Sequence, residues 1–381
     1  MRIGIEASAL KNQAGTGVLA RHLIADLRAR GHEVIEFSHD FSSTGQARSS
    51  ARRWMNGLRQ IVWTQVTLPR AAARQHVDVL LCPAYVGPLL SRVPLVLMVL
   101  DLTFLIEPQT GDRLYMRYLR RLVPSLVKRA RRVVTISQSA ADEIARLLPS
   151  AAGKVDVAYP GPGGPLPDPP PQAGEGEFPV AGGGKTEREG ERKIEGKAGK
   201  YVLMVGTLEP RKNYPRAIEA FAIFQRQGFS DWRLLIAGGP GWGSDDVKKE
   251  IDRLGLRDAV RVMGQVSGEA LAGLYRDAGA LFFPSLYEGF GFPILEAMAS
   301  GCPVVTSNRS SMAEVGDGAV QLVDPLDPQS MAAGLAAVAG DGSRSAELVA
   351  KGRIRAREFS WDRFAASIER ALESAVTSGL T

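Results

Sequence analysis

Short apolar runs alternating with amphipathic stretches of helical period restrict the fold of this chain more than any other feature. In the first half the runs are RIGIEA, EVIEFS, DVLLCP, LVLMVLD, RVVTIS and VDVAYP; in the second they are YVLMVG, RLLIAG, VRVMG, ALFFPS and PVVTS. Several are apolar on both faces, as strands buried inside a parallel sheet are. Between them, GTGVLARHLIADLRARG, YPRAIEAFAIFQRQG and GEALAGLYRDAG repeat apolar residues at three- and four-residue steps and end on glycine, the mark of amphipathic helices. This alternation predicts doubly wound α/β sheets. One stretch interrupts it: residues 161–199 have almost no apolar side chains and are dense in Pro, Gly and charge, which predicts a mobile linker. The expected division is an N-terminal Rossmann-like domain over 1–160, a second over 200–359, and a helical tail over 360–381.

With 381 residues the chain is long enough for two domains with a core each. Its 45% hydrophobic and 23% charged content is that of a globular protein. The N-terminus meets Glu6 and Lys11 before any signal-peptide core forms, so a cytoplasmic location is expected. The longest strongly apolar run, VPLVLMVL at 93–100, is too short to span a bilayer. Cys82 and Cys302 each lie in an apolar setting, and buried free thiols are expected rather than a disulfide. Residues 1–132 hold 20 Lys/Arg against 9 Asp/Glu, so the net charge of +6 hides a basic first part and an acidic remainder. The segment DRLYMRYLRRLVPSLVKRARR (112–132) is basic, amphipathic and interrupted by Pro124. It suits an anionic membrane surface and equally a helix pair covering a sheet with its arginines in water. Nucleic acid is a poorer partner, because no aromatic platform accompanies the arginines.

Two stretches of the second half carry chemistry. In VGTLEPRKN (205–213) a strand ends at Gly206, and Arg211 and Lys212 follow at the mouth of a helix, which suits a pyrophosphate. In SLYEGFGFPILEAMASGCPVV (285–305) a glycine-rich turn leads through Pro293 into a helix that stops at Gly301. Glu288 precedes the turn and is expected on the other side of the phosphates. Glu296 is expected in about the first helical turn, where the helix dipole favours its charge and its carboxylate can hold two vicinal hydroxyls. Taken singly, each carboxylate is also an ordinary surface or helix acid. No G-x-G-x-x-G follows the first strand, which argues against a nicotinamide dehydrogenase.

Together these elements resemble family 4 of the retaining glycosyltransferases, which have the GT-B fold: two Rossmann-like domains facing each other across a cleft. The resemblance rests on EGFGFPILEAMASGCPVV and VGTLEPRKN, with GTGVLARHL, VVTISQSAADEIAR, RVMGQVSGEALAGLYRDAGALFFPS and EFSWDRFA in order along nearly the whole chain. It implies that the last helix crosses back to the N-terminal domain. It further implies that Lys212, helped by Arg211, neutralises the donor diphosphate, that Glu296 holds the ribose, and that Glu288 holds the transferred sugar. Backbone N–H groups of Gly289, Phe290, Gly291 and Phe292 would meet sugar or phosphate. Gly15 and Gly17 would let an N-terminal loop close over the diphosphate; Gly206, Thr207 and Ser137 would line the donor, and Gln265 and Val266 the base. Relatives often carry Arg at the position of Thr207, so one phosphate contact would be weaker here or be replaced by Arg211. Glu288, Lys212 and Asp101 would be catalytic. In many relatives His precedes the DLTF element; here Leu100 stands before Asp101.

The implied reaction is transfer of a hexose with retention, without metal or cofactor beyond the nucleotide sugar, to a glycan or lipid-linked acceptor. The likeness of GTLEPRKN to mannosyl-transferring members makes GDP-mannose the first choice, with polysaccharide biosynthesis at the inner face of a membrane as the setting. A sugar-nucleotide epimerase or hydrolase of related fold would need its own acid/base set, and none is evident. A nucleotide-sugar-binding protein with weakened catalysis is suggested only by Leu100.

Overall fold

The structure, a computed structural model, describes residues 1–11, 15–39, 50–106, 113–163 and 200–377. Most of the expected linker, 164–199, therefore lies outside the described residues. The chain divides into two units, Met1–Gly163 with Phe359–Thr381, and Gly164–Glu358.

The first unit contains β1 (Arg2–Glu6), α1 (Gly15–Ala29), β2 (Glu33–Phe37), α2 (Ser50–Val62), α3 (Leu68–Arg74), β3 (Val79–Cys82), β4 (Leu95–Met98), α4 (Thr103–Ile106), α5 (Arg113–Arg129), β5 (Arg132–Thr135), α6 (Gln138–Leu147) and β6 (Val155–Val157). Its six strands are all parallel in the order β2-β1-β3-β4-β5-β6. β3 and β4 are buried at every position, which is why they read as unbroken apolar runs. Cys82 is free and buried among them.

Two local expectations fail here. Gly15 and Gly17 do not lie in a loop: α1 begins at Gly15, and Gly17 is buried within it. Nor does Pro124 interrupt its segment, because α5 runs unbroken from Arg113 to Arg129 with the proline inside. A proline in a helix interior costs about 3 kcal/mol. Leu119, Leu122, Val123, Leu126 and Val127 are all buried on that helix, and each contributes about 1.5–3 kcal/mol, so packing prevails.

The second unit contains β7 (Tyr201–Val205), α7 (Tyr214–Arg226), β8 (Arg233–Ala237), α8 (Ser244–Arg253), β9 (Val260–Gly264), α9 (Gly268–Asp277), β10 (Ala280–Phe283), α10 (Phe292–Ser300), β11 (Val304–Ser307), α11 (Ser310–Gly316), β12 (Gln321–Val323), α12 (Pro328–Ala339) and α13 (Gly342–Ala356). The strand order is β12-β11-β10-β7-β8-β9, again all parallel. β12 has no counterpart among the runs read from the sequence. It is three residues long, with only Val323 fully buried, and it is ordered by pairing with β11. From β7 the chain proceeds outward through β8 and β9, then returns to lay β10 on the other side of β7. The direction of winding thus switches between β7 and β10, and ligands of open α/β sheets bind outside the carboxyl ends of the strands at such a switch.

The last helix, α14 (Trp361–Thr377), packs on the first unit, against α1 and β5. Its Glu369 accepts from Arg30 at 2.9 Å and meets His32 at 2.6 Å. The Trp361 indole N–H donates to the carbonyl of Pro162 at 2.9 Å, and its ring stacks on His22 with centroids 4.1 Å apart. Residues 161–163, expected in the linker, thus belong with the first unit, as does Phe359.

Candidate functional site

The two charged stretches of the second half meet at the switch between β7 and β10. After β7 the backbone turns at Gly206, whose φ of 141° favours glycine. A short 3-10 turn over Pro210–Lys212 follows, and Asn213 caps it in the left-handed region with φ 63°. Asn tolerates that conformation better than most residues, and here its buried side-chain amide donates to the carbonyls of Pro284 and Pro325 at 3.1 and 2.6 Å. The Leu286 amide donates to the Arg211 carbonyl at 2.8 Å. These bonds bind the Arg211–Lys212 turn to the segment leaving β10.

Glycines bring a second segment against that turn. A Cβ on Gly238 would stand 1.9 Å from the Gly206 carbonyl oxygen, and one on Gly241 would stand 2.6 Å from that of Leu208. The stretch after β8 therefore supports residues 206–208 through direct backbone contact. The Tyr214 hydroxyl donates to the Gly206 carbonyl at 2.5 Å from the helix side.

At the centre, Lys212 Nζ lies 2.6 Å from Glu288 Oε1, and Arg211 Nη1 lies 2.6 Å from Glu288 Oε2. Arg211 Nε also donates to Glu209 Oε2 at 2.8 Å. Lys212 Nζ stands 4.5 Å from the centroid of the Phe283 ring, which adds a cation–π attraction. Glu288 is not across from the cations, as the sequence suggested, but pairs directly with both. Chain folding allows this because β7 and β10 are neighbours. Burial disfavours the charge of Glu288, yet Arg211 and Lys212 outweigh burial and hold its carboxyl down to about 2. Burial also lowers the pKa of Lys212, against the pull of Glu288.

The turn after Glu288 is held from α11, a contribution that no spacing in the sequence signalled. Ser310 and Ser311 donate to the Glu288 carbonyl at 2.6 and 2.9 Å, and Ser311 also to the Phe290 carbonyl at 2.9 Å. Gly291, with φ 104°, caps the N-terminus of α10, and Pro293 lies in the first turn. Gly289 and Phe290 are buried and Phe292 is half-buried; the two phenylalanine rings meet edge to face at 5.2 Å.

Glu296 lies beyond the first turn of α10, not within it. It is the fifth residue of α10, and the first turn holds no acid, so the dipole effect, which fades within the first turn, is not what places it. Instead the Tyr275 hydroxyl from α9 donates to its Oε2 at 2.9 Å. Burial, then the neighbouring carboxylate, raise the pKa of that tyrosine well above its usual value, which keeps the proton on the donor. Gln265 and Val266 follow β9, with Gln265 exposed and Val266 half-buried. Thr207 is exposed and brings no charge.

Ser137, fully buried, caps α6 by accepting from the Ala140 amide at 3.1 Å, so its hydroxyl is engaged in helix capping. Asp101 accepts from the Thr103 amide at 2.9 Å at the start of α4, and Leu100 before it is buried. Among the described residues no group of three or more His, Cys, Asp or Glu is placed to hold a metal ion. No described helix is long and apolar enough to cross a membrane.

Two family descriptions match the chain, one in each half. The family described as "Glycosyl transferases group 1" matches residues 186–355, and "Glycosyltransferase Family 4" matches 14–161. An O-antigen chain mannosyltransferase B of Escherichia coli is 38% identical over 163 residues, which are 42% of each chain. An O-antigen chain mannosyltransferase of Salmonella typhimurium is 30% identical over 213 residues, 56% of this chain and 52% of the relative. The chain thus spans about half the length of the curated relatives it matches. A sucrose-phosphate synthase from Thermosynechococcus elongatus has the same fold, with a TM-score of 0.72, 17% identity, and coverage of 97% of this chain and 98% of that one.

Proposed function

This chain belongs to glycosyltransferase family 4, with the GT-B fold, and from that premise we propose that it moves a hexose from a nucleotide sugar to a glycan or lipid-linked acceptor with retention at the anomeric carbon. The observation that carries the reading is the Arg211–Lys212 pair fixed at the switch between β7 and β10 and joined to Glu288, four residues ahead of α10. Lys212 and Arg211 take the diphosphate, and the backbone N–H groups at the start of α10 add to the positive field. Glu296, oriented by Tyr275, accepts from the ribose hydroxyls, and Glu288 accepts from a hydroxyl of the sugar. Gln265 and Val266, after β9, take the base.

The transfer breaks the bond between the sugar's C1 and the diphosphate oxygen and forms one from C1 to the acceptor oxygen. The acceptor's proton passes to a phosphate oxygen, so no protein nucleophile is needed. The two cations stabilise charge growing on the leaving diphosphate, the role of a preorganised electrostatic site. Metal-independent transfer follows from that assignment. The mannosyltransferase relatives support GDP-mannose as the donor and polysaccharide synthesis as the setting. Exposed Leu90, Leu114 and Tyr115 near the arginines of α5 support a peripheral site at the cytoplasmic face of an anionic membrane.

A thermal-shift panel of GDP, UDP, ADP and their sugars tests the class and identifies the donor together. Stabilisation by one nucleotide and its sugar is expected, and no shift with any of them refutes the reading. Lys212→Ala and Glu296→Ala are each expected to abolish transfer. Transfer at near the unaltered rate in Lys212→Ala would remove the diphosphate site.

A further inference from the structure

The cations assigned to the diphosphate already carry a counter-charge. Lys212 and Arg211 are matched one for one by Glu288 and Glu209, so the side-chain cluster is neutral before any ligand arrives. Glu288 is not free to swing aside as a unit, because Ser310 and Ser311 hold its carbonyl and its amide lies 3.4 Å from Ser310 Oγ. Its side chain is also among the most enclosed parts of the cluster, 10% exposed.

Resting on the donor assignment above, we propose that Glu288 is a specificity-determining residue that makes the site favour a nucleotide sugar over the free nucleoside diphosphate. Any incoming diphosphate competes with the Glu288 carboxylate for Lys212 and Arg211 and is repelled by it. A nucleotide sugar brings hydroxyls that donate to the carboxylate and offset the repulsion. The product has lost that sugar. Its terminal phosphate, freed of the sugar ester, gains a second ionisation of the kind that falls near pH 6 in phosphates and so carries more charge than it did in the nucleotide sugar. Glu288 therefore weakens product binding after each transfer, and the residue that grips the sugar also promotes product release.

The test uses inorganic pyrophosphate as a probe of the diphosphate site alone, by calorimetry on the full chain at pH 7.5 and low salt. Glu288→Gln keeps the shape and removes the charge, so pyrophosphate is expected to bind roughly tenfold tighter or more, as loss of a like charge within a few ångströms allows. Glu209→Gln, whose side chain is 28% exposed and touches only Arg211 of the pair, is expected to tighten binding in the same direction by a smaller factor. It also decides the matter if Glu288→Gln does not fold. Lys212→Gln is expected to weaken binding. Unchanged or weaker binding in both glutamate variants, with Lys212→Gln still weakened, overturns this inference and leaves the diphosphate site standing. Unchanged binding in Lys212→Gln refutes the site and the inference together.

Discussion

Glu288→Gln also has a consequence for stability that can be worked from the ion-pair geometry. The carboxyl titrates at about 2 in the folded chain against 4.5 when unperturbed. At about 1.4 kcal/mol per pKa unit, the charged pair contributes about 3 kcal/mol. Removing one partner of a buried ion pair costs about 3–5 kcal/mol by a separate line of reasoning, so the two magnitudes agree. A carboxyl with a depressed pKa contributes fully above 4.5, and its contribution falls away as pH drops from 4.5 toward 2. Hydrogen exchange read by mass spectrometry on peptides of β7 and β10 reports the second unit without assuming that both units unfold together. At pH 7 the variant is expected to exchange roughly a hundredfold faster in those strands, with peptides of β1 and β3 unchanged. Urea titrations at pH 7 and pH 2.5 should show the gap between the two proteins shrinking to about a quarter of its size at the lower pH. Equal protection at pH 7, or a gap of the same size at pH 2.5, would refute the assignment of this buried network as a major source of stability.

Three further perturbations probe the supports of the site. Asn213→Asp replaces an amide donor by a carboxylate facing the Pro284 and Pro325 carbonyls; a loss of about 3 kcal/mol is expected in chemical unfolding of the second unit. Gly238→Ala places a methyl 1.9 Å from the Gly206 oxygen and must displace residues 206–208. If those residues hold the diphosphate, transfer should fall roughly a hundredfold, the scale of a misplacement of about 1 Å, while far-ultraviolet circular dichroism stays unchanged. Tyr275→Phe leaves Glu296 without its orienting hydroxyl; KM for the donor should rise roughly tenfold, the scale of a lost bond to a charged group, with little change in kcat.

Much of this architecture is legible locally. The runs that became β3, β4 and β10 are apolar throughout because both faces are covered, and burial on both faces is a property each segment records in its own composition. Gly301 was readable as the stop of α10, since a left-handed cap selects glycine at the position itself. β12 was not readable: three residues with one fully buried carry no period, and pairing with β11 gives the segment its form. Pro124 misled because its local cost is real, while the packing that overrides it comes from elsewhere in the fold.

The sequence by itself determined the α/β class and the two-part division, and it singled out Lys212, Glu288 and Glu296 as one candidate set. Only the tertiary structure decided how that set is joined. Arg211 and Glu288 are 77 residues apart, and nothing in either segment specifies the charge of the other. They meet because the winding reverses between β7 and β10 and sets the ends of those strands side by side. Tyr275 on Glu296 and the α11 serines on the turn arise in the same way, from helices packed together in space. Hydrogen bonds and ion pairs act over a few ångströms, so their partners are fixed by the fold's topology, whereas the helices and strands that carry them are fixed chiefly by neighbours along the chain.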